Sequence, residues 1–581
     1  MKGNAEVVGW GTSGAEWARP EAASVSRAIA TALYDSGVRE TFGVLGGGIA
    51  PFAAGLSNTP LRFFHFRHEA GAGFAALESW FEAGRPGVVV VTTGPGLFNV
   101  LNAAMAARVD AAKFLIISGF TSPQQVSRGA VQETSLASMP AELLRPGSLF
   151  HDVALPQTIE ELATVLPRLQ RGFAAPGGYV AHLGLPLALQ TQMLAAPLQA
   201  GARWTYAAPG PEVETIDRCL ASLEDASALI WLGHGARGAH AELKTFAEAA
   251  RLPVVCSPRA KGLFPESHPL FVGVSGAGGS ALVRQRFEAH RPRNVLVVGT
   301  RLGEVTSFLA PGLSPSESWL HVDLDPSAFG AAFPFVPGLG IVADAKVFAT
   351  ALIARAIELN WFERRQRAAP VVIALREQLI ARDEPSVRPP FLMQTIQEQV
   401  VDRSDALVMS EAGTSFTWCN AHLRFDTPHR YRTSAAWGSM GHFTTGCVGA
   451  ALAKKRRVVS VVGDGAMLMN NEINTAVQYR APVLWVVMND AQLGLNEHGM
   501  TALGMRPVET QMPRTDFVAF ARAQGCDGAA VRSEKELHGA LEKAMRVDGP
   551  FLLDVDIDRT IPSPVVAERV RSLQRQATGA R

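Results

Sequence analysis

The sequence predicts an α/β protein built of three doubly wound parallel-sheet blocks, and three observations carry that expectation. Short apolar runs such as Val458 to Val462, Val483 to Met488 and Ala228 to Leu232 have the length and composition of buried parallel strands. Each stops at a glycine or Asn-Asp turn and is followed or preceded by a helix-like stretch, which is the strand-crossover-strand pattern. The chain has 581 residues, far more than one core usually holds, and its 47% hydrophobic against 18% charged content fits large buried sheets. The blocks are expected at residues 20–190, 205–360 and 385–561, with residues 562–581 as a C-terminal arm or solvated helix.

The same composition excludes several classes of function. A formal net charge of +1 leaves no electrostatic footprint for nucleic acid or an anionic membrane surface. No run reaches the ~18 apolar residues of a membrane span. Residues 1–20 lack the apolar centre of a signal peptide and read as a loose arm. Cys219, Cys256, Cys419, Cys447 and Cys526 form no CxxC pair, so neither a disulfide framework nor a zinc site is indicated, and a reducing cytoplasm fits.

The first block opens as helix, strand at Thr41 to Leu45, glycine turn at Gly46 to Gly48, then helix. The spaced GxGxxG of a dinucleotide loop is missing there, so the triplet reads as a close-packed turn on the rim of a site, with Gly47 a candidate substrate contact. Arg67-His68-Glu69 follows, where an apolar strand gives way to an alanine-rich helix. A carboxylate at that position is favoured by the helix dipole alone. Its neighbours add a second reading, because the run VVVVTTGPGLFN brings Thr92, Thr93, Gly94 and Asn99 to the next turn.

In the middle block, the strand Ala228 to Leu232 runs into Gly233-His-Gly-Ala-Arg-Gly238, a formal GxGxxG. A nucleotide site would need an acid about 20 residues on, at the end of the next strand. The strand Leu252 to Cys256 ends in Ser-Pro-Arg and supplies none.

The third block carries the densest chemistry. A helix and strand release Glu411-Ala-Gly-Thr-Ser415, whose hydroxyls and amides suit a diphosphate. Trp437-Gly-Ser-Met-Gly441 precedes a small-residue helix ending at Lys454; on general grounds Met440 is core packing. The strand Val458 to Val462 then ends in Gly463-Asp464-Gly465, a helix is expected at Asn471 to Tyr479, and the strand Val483 to Met488 ends in Asn489-Asp490. Either turn alone reads as an ordinary tight turn. Together, two adjacent parallel strands release Asp464 and Asp490 at one carboxyl edge, and two carboxylates beside a glycine turn point to a hard cation bridging to phosphate. His442 and His498 are candidate proton donors or substrate contacts, or ordinary satisfied histidines.

GDG followed after 26 residues by Asp490 resembles the thiamine-diphosphate motif, and RHEAGAGFAA with the TTGPGLFN turn resembles the pyrimidine-binding half of the same enzymes. The middle block is similar to the central domain of acetolactate-synthase-like enzymes at Gly233, Lys261-Gly262, His268-Pro269, Gly299-Thr-Arg301 and His321 to Asp325. The chain is thus identified as a member of the acetolactate synthase and 2-oxo acid decarboxylase superfamily, over about residues 20 to 560. The resemblance implies pyrimidine-binding, central and diphosphate-binding domains, with thiamine diphosphate and Mg²⁺ as cofactors. It makes Glu69 the catalytic glutamate. Gly438, through its carbonyl, and Met440, which bends the cofactor, complete the activating set. Thr92, Asn99, Thr414, Ser415, Gly463, Asp464, Gly465, Ala466 and Asp490 hold the cofactor, and Asp464, Asp490 and the Gln492 carbonyl hold the metal. The chain departs from the pattern at Asp490, where a second Asn is commoner, at Val131 before Gln132-Glu133, at Glu411 for Asp, and at Leu302-Gly-Glu-Val305, which argues against FAD.

What the resemblance implies is decarboxylation of a 2-oxo acid followed by ligation of the remaining fragment to a second carbonyl acceptor, giving an acyloin or acetohydroxy acid. Release of an aldehyde by a simple decarboxylase is the first alternative; a non-catalytic or dinucleotide-binding relative is the second. Phe120 and Thr444 to Cys447 stand where the family commonly differs, and are read as an altered, more apolar substrate pocket. The family's arrangement implies a homodimer as the smallest active unit, in a homotetramer.

Overall fold

The computed structural model describes residues 23–57, 59–198, 204–365, 368–372 and 377–578, and the arm expected at residues 1–20 lies outside them. Three six-stranded sheets form, and every strand pair within them is parallel. Across the first, the strands run Arg62–His65, Glu40–Gly43, Gly87–Val91, Lys113–Phe120, Tyr179–Pro186, Asp152–Ala154. Across the third they run Tyr431–Thr433, Leu407–Ser410, Val458–Gly463, Val483–Asn489, Phe551–Asp556, Asp527–Val531. Numbered within each block, both have the order 2-1-3-4-6-5. The second sheet, Gly338–Val342, Ser318–Asp323, Asn294–Val298, Leu229–Leu232, Val254–Cys256, Phe271–Val274, has the order 3-2-1-4-5-6 read from its other edge.

The central strands are the valine-rich runs, and burial on both faces is what their composition requires. Gly87–Val91 and Val483–Asn489 are buried at every position. One apolar core joins the first and third sheets: Phe42, Phe74, Val91 and Phe114 belong to the same cluster as Met409, Phe443, Val462 and Trp485. The middle sheet is flanked by two clusters of its own.

The helix Glu69–Ala83 starts after extended His68 and stops at Gly84, whose φ of 70° is the left-handed conformation of a glycine C-cap. Its small residues let it cross the helix His442–Lys454 at backbone contact. A Cβ built on Gly449 would stand 2.1 Å from the Ala75 carbonyl oxygen, and one on Gly446 would stand 2.8 Å from the Glu78 side chain.

Several expected boundaries shift. The first strand ends at Gly43 and leaves Leu45 exposed. A six-residue helix, Asp464–Met469, follows the GDG turn, and the next helix is confined to Ile473–Tyr479. The C-terminal segment is a helix, Val566–Thr578, but it is not solvated all round. Val566 and Ser572 are buried, Glu568 pairs with Arg284 at 3.2 Å, and the helix packs on Gly494–Ala502. Among the described residues, no helix is long and apolar enough to cross a membrane, and all five cysteines are buried free thiols.

Candidate active site

Ligands of open α/β sheets bind beyond the carboxyl ends of the strands, where the strand order reverses. In the third sheet that point lies between Leu407–Ser410 and Val458–Gly463, which release Thr414-Ser415 and Asp464. Asp464 is 4% exposed. Its two oxygens accept the Gly465 and Ala491 amides, both at 2.7 Å. Ala491 sits at φ 56°, a strained conformation for a residue with a side chain, and is held there by that bond and by the Met512 amide on its carbonyl. Asp490 accepts the Gln492 backbone and side-chain N–H groups at 3.3 Å each. A Cβ on Gly494 would lie 2.8 Å from the Asp490 carboxylate and 3.5 Å from the Thr414 methyl, so these residues face one space. Burial, followed by repulsion from Asp490, pushes the Asp464 carboxyl up to about 7; burial also raises Asp490. Two buried like charges at close range are what a cation relieves.

Among the described residues, no group of three or more His, Cys, Asp or Glu side chains is placed to hold a metal. A cation here would take two carboxylates and a backbone oxygen, and would fill its shell from water and a bound phosphate, which is how Mg²⁺ is commonly held. Met440 reaches the same turn, its Cε 3.4 Å from where a Cβ on Gly465 would stand. Gly438 and Gly441 flank it at φ 69° and 86°. Gly463 is the extended residue before the Asp464 helix, and Ala466 is buried within it.

The first sheet reverses between Glu40–Gly43 and Gly87–Val91. There the Gly46–Gly48 turn lies on Thr92 and Thr93, with Gly46 and Gly48 each too close to a threonine side chain to carry a Cβ, and Gly47 facing open space. Thr92 Oγ1 is buried without a hydrogen-bond partner in the chain, an orphaned group pointing to a ligand. Glu69 stands beside this turn: Asn99 Nδ2 donates to Glu69 Oε2 at 2.9 Å, and Glu69 Oε1 is 3.4 Å from a Cβ position on Gly96. Gln132 accepts from Thr93 Oγ1 at 3.0 Å, bringing the Gln132-Glu133 element to the same edge.

In the middle sheet the equivalent point is closed by its own loops. The Gly233 amide donates to Val298 and the Gly235 amide to Gly299, and a Cβ on Gly233 would stand 2.1 Å from the Gly299 carbonyl. The first two glycines of that GxGxxG, Gly233 and Gly235, are needed for this contact between loops, whereas Gly238 faces open space.

Some expected residues have other work. His442 is 1% exposed, bonded to Glu78 at 2.8 Å and stacked on Phe74 and Phe443. Both ring faces and Nε2 are used inside the junction, as in an ordinary satisfied histidine, while Nδ1 is buried without a hydrogen-bond partner. Thr444, Thr445 and Cys447 are likewise buried, with hydroxyls and thiol bonded to nearby carbonyls. Phe120 is 6% exposed and belongs to the shared core, against Gly184. Ser415 is buried and donates to the Glu411 carbonyl, leaving its amide and lone pairs at the edge. Glu411 caps the helix His442–Lys454, accepting the Phe443 and Thr444 amides at 2.8 and 3.2 Å. His498 is half-buried, with Nε2 on the Arg559 carbonyl at 3.0 Å and Nδ1 unpartnered.

Sequence reasoning missed two buried sets. Glu472 accepts the Arg67 and His68 amides at 3.0–3.2 Å and so holds the corner that leads into Glu69; burial lifts its carboxyl to about 7. Arg432 makes 2.8 and 2.9 Å bonds to Glu78 and one of 2.7 Å to Asp110, which also pairs with Arg259, at the meeting of all three blocks. Burial pushes Glu78 up, but Arg432 and His442 outweigh it and hold the carboxyl below its usual range.

Family models for thiamine pyrophosphate enzymes match all three blocks. The N-terminal TPP binding domain matches residues 23–139, the central domain 216–352 and the C-terminal TPP binding domain 411–555. The chain is 28% identical over 562 residues to the "Putative thiamine pyrophosphate-containing protein YdaP" of Bacillus subtilis, covering 93% of each. It is 30% identical over 521 residues to the "Putative acetolactate synthase large subunit IlvB2" of Mycobacterium tuberculosis, covering 86% of this chain and 91% of the relative. With the "Acetolactate synthase isozyme 1 large subunit" of Escherichia coli it shares 26% identity over 537 residues, 90% of this chain and 92% of the other. Three α/β blocks, a carboxylate at one reversal point, paired aspartates at another and matches across the chain lead to one assignment: it belongs to the thiamine-diphosphate-dependent enzymes of the acetolactate synthase superfamily.

Proposed function

We propose that this enzyme decarboxylates a 2-oxo acid and joins the remaining fragment to a second carbonyl compound, using thiamine diphosphate and Mg²⁺. The observation that carries the reading is Met440 resting against the Gly463-Asp464-Gly465 turn. It puts an apolar wedge beside the paired aspartates, which is what a ligand with an aromatic end and an anionic end needs.

Asp464, Asp490 and the Gln492 carbonyl would hold Mg²⁺. The Thr414, Ser415, Gly465 and Ala466 amides would receive the diphosphate, with Gly463 leaving room before them. Thr92 has a free oxygen for the pyrimidine half, and Gly438 offers its carbonyl to an amino group. When bound, thiamine diphosphate supplies a nucleophilic ring carbon and a cationic electron sink for loss of CO₂. Glu69 would hold and share a proton with a ring nitrogen of the bound cofactor, while the Asn99 amide on Oε2 fixes the carboxylate's orientation. Gly47 faces the open rim where substrate would enter, and His498, with one ring nitrogen unpartnered, stays a candidate contact on the opposite edge.

Carboligation is favoured over simple decarboxylation because relatives aligning over nine-tenths of the chain carry acetolactate synthase names. Glu69 and Asp464 serve opposite ends of one cofactor, and we place them in different subunits of a homodimer, within a homotetramer. Buried free thiols fit a cytoplasmic setting. The test is a panel of 2-oxo acids incubated with enzyme, thiamine diphosphate and Mg²⁺, with and without aldehyde or ketone acceptors. CO₂ with a ligated product is expected. CO₂ with free aldehyde alone would make the protein a decarboxylase, and failure to bind the cofactor would overturn the reading.

A further inference from the structure

The turn that carries Met440 has little to keep it in one shape. Glycines in the left-handed region stand at both ends, Gly438 and Gly441, and glycine is the residue least restrained by its own backbone. Trp437, just before it, is 41% exposed. Bonds within its own block tie the ends, the Gly438 amide to the Ser434 carbonyl at 3.4 Å and the Thr444 and Thr445 hydroxyls to the Gly441 carbonyl at 3.0 and 2.8 Å, while the side chains between them are held from the other block of the same chain. Asn102, on the helix Pro95–Val109, accepts the Trp437 indole N–H on Oδ1 at 2.7 Å and donates from Nδ2 to Ser439 Oγ at 2.7 Å. The Ser439 hydroxyl in turn donates to the Met440 carbonyl at 3.3 Å. One amide thus grips the turn on both sides of Gly438 and passes the restraint to Met440. Asn99, one helical turn before it, holds Glu69.

We propose that Asn102 is a positioning residue for thiamine chemistry: its two-handed amide contact locks Gly438 to Met440 in the shape that receives the cofactor. The role rests on the reading of this turn as part of the thiamine site. Neither Asn102 nor Trp437 is buried, so removing the amide leaves the core intact and the effect falls on the turn.

The test uses the full chain with Asn102→Ala and Asn102→Asp, each also made with Trp437→Phe so that the emission of Trp437 is obtained by difference. Without cofactor, Asn102→Ala should shift that emission to the red and raise its quenching by acrylamide about twofold. With Mg²⁺ present, thiamine diphosphate should bind about tenfold more weakly, and kcat should fall about tenfold with KM for the 2-oxo acid within about twofold, as expected for two lost hydrogen bonds. Asn102→Asp should restore the Trp437 emission, because a carboxylate oxygen still accepts the indole N–H, but should recover cofactor affinity and kcat only in part, because the single Ser439 hydroxyl proton then goes to the carboxylate and leaves the Met440 carbonyl. Unchanged Trp437 emission in Asn102→Ala would overturn the grip. A changed emission with wild-type cofactor affinity and kcat would overturn the positioning role. Wild-type protein that binds no thiamine diphosphate would instead remove the functional reading, and the positioning role with it.

Discussion

The Glu69 carboxylate is held by a neighbour on the next helix, and the corner before it by a buried carboxylate from a distant block, so its substitution separates chemistry from shape. Glu69→Gln keeps the volume and the Asn99 contact but removes the shared proton. Turnover should fall by about 10²-fold or more, with cofactor affinity within about threefold and an unchanged melting temperature; turnover near wild type would remove Glu69 from the mechanism. A second residue-level prediction concerns His182, fully buried and bonded to Ser118 at 2.8 Å, whose imidazole burial lowers to about 4. Between pH 4 and the ordinary value near 6.5 the unfolded chain binds the proton and the native state does not, so this contribution is complete above about pH 6.5 and is lost as pH falls. Lowering the pH from 7 to 5 should cost about 2 kcal/mol through this group alone. Denaturant titrations should show a shallower loss over that window in His182→Gln, and parallel curves for the two proteins would contradict the assignment. Glu69, Asp464, Asp490 and Met440 were legible in sequence because each lies inside a short local pattern. Glu472, Asn102 and the Glu78–Arg432–Asp110 set were not, since their partners stand more than 300 residues away and nothing local marks them. His442 stays open in sequence between a site contact and a satisfied histidine for the same reason: nothing local shows Glu78 and Phe74 around it.

The strands were legible as elements because burial on both faces demands unbroken apolar runs, and those runs stop where glycine or Asx residues begin. The helix Asp464–Met469 was hidden because six residues are too few to show a period, and the docking of the C-terminal helix was hidden because its charged face dominates its composition. The crossing of Glu69–Ala83 with His442–Lys454 makes the element-level prediction. In a helix interior, Gly→Ala ordinarily stabilises by about 1 kcal/mol. At Gly449 the added methyl would stand 2.1 Å from a carbonyl oxygen of a helix that cannot retreat, since its other side packs on the first sheet. Overpacking of about 1–3 kcal/mol or more should win, so Gly449→Ala should lower the midpoint of urea unfolding. Gly47→Ala, with open space around it, should leave the midpoint nearly unchanged. A stabilised Gly449→Ala protein would mean that the helices are farther apart than described.

At the scale of the whole molecule, the proposed sharing of each site between subunits can be tested by mixing two inactive chains, one carrying Glu69→Gln and the other Asp464→Ala. Some mixed dimers then hold one site with both residues intact, so part of the wild-type activity should return once subunit exchange has been demonstrated. Confirmed mixed dimers with no activity above their parents would place both residues of each site in one chain. The first and third sheets share one strand order, and the helices that cross between them, Glu69–Ala83 and His442–Lys454, are the same link of that order, each joining the second strand to the third. Each half therefore meets its own likeness, through equivalent helices, within a single polypeptide. The division of labour lies at the starts of those helices: the residue that opens one is Glu69, turned to the ligand edge, and the residue that opens the other is His442, sealed in the junction. Two copies of one scaffold can thus take up different trades by changing loops and helix starts alone, while the sheets that carry them stay interchangeable in plan.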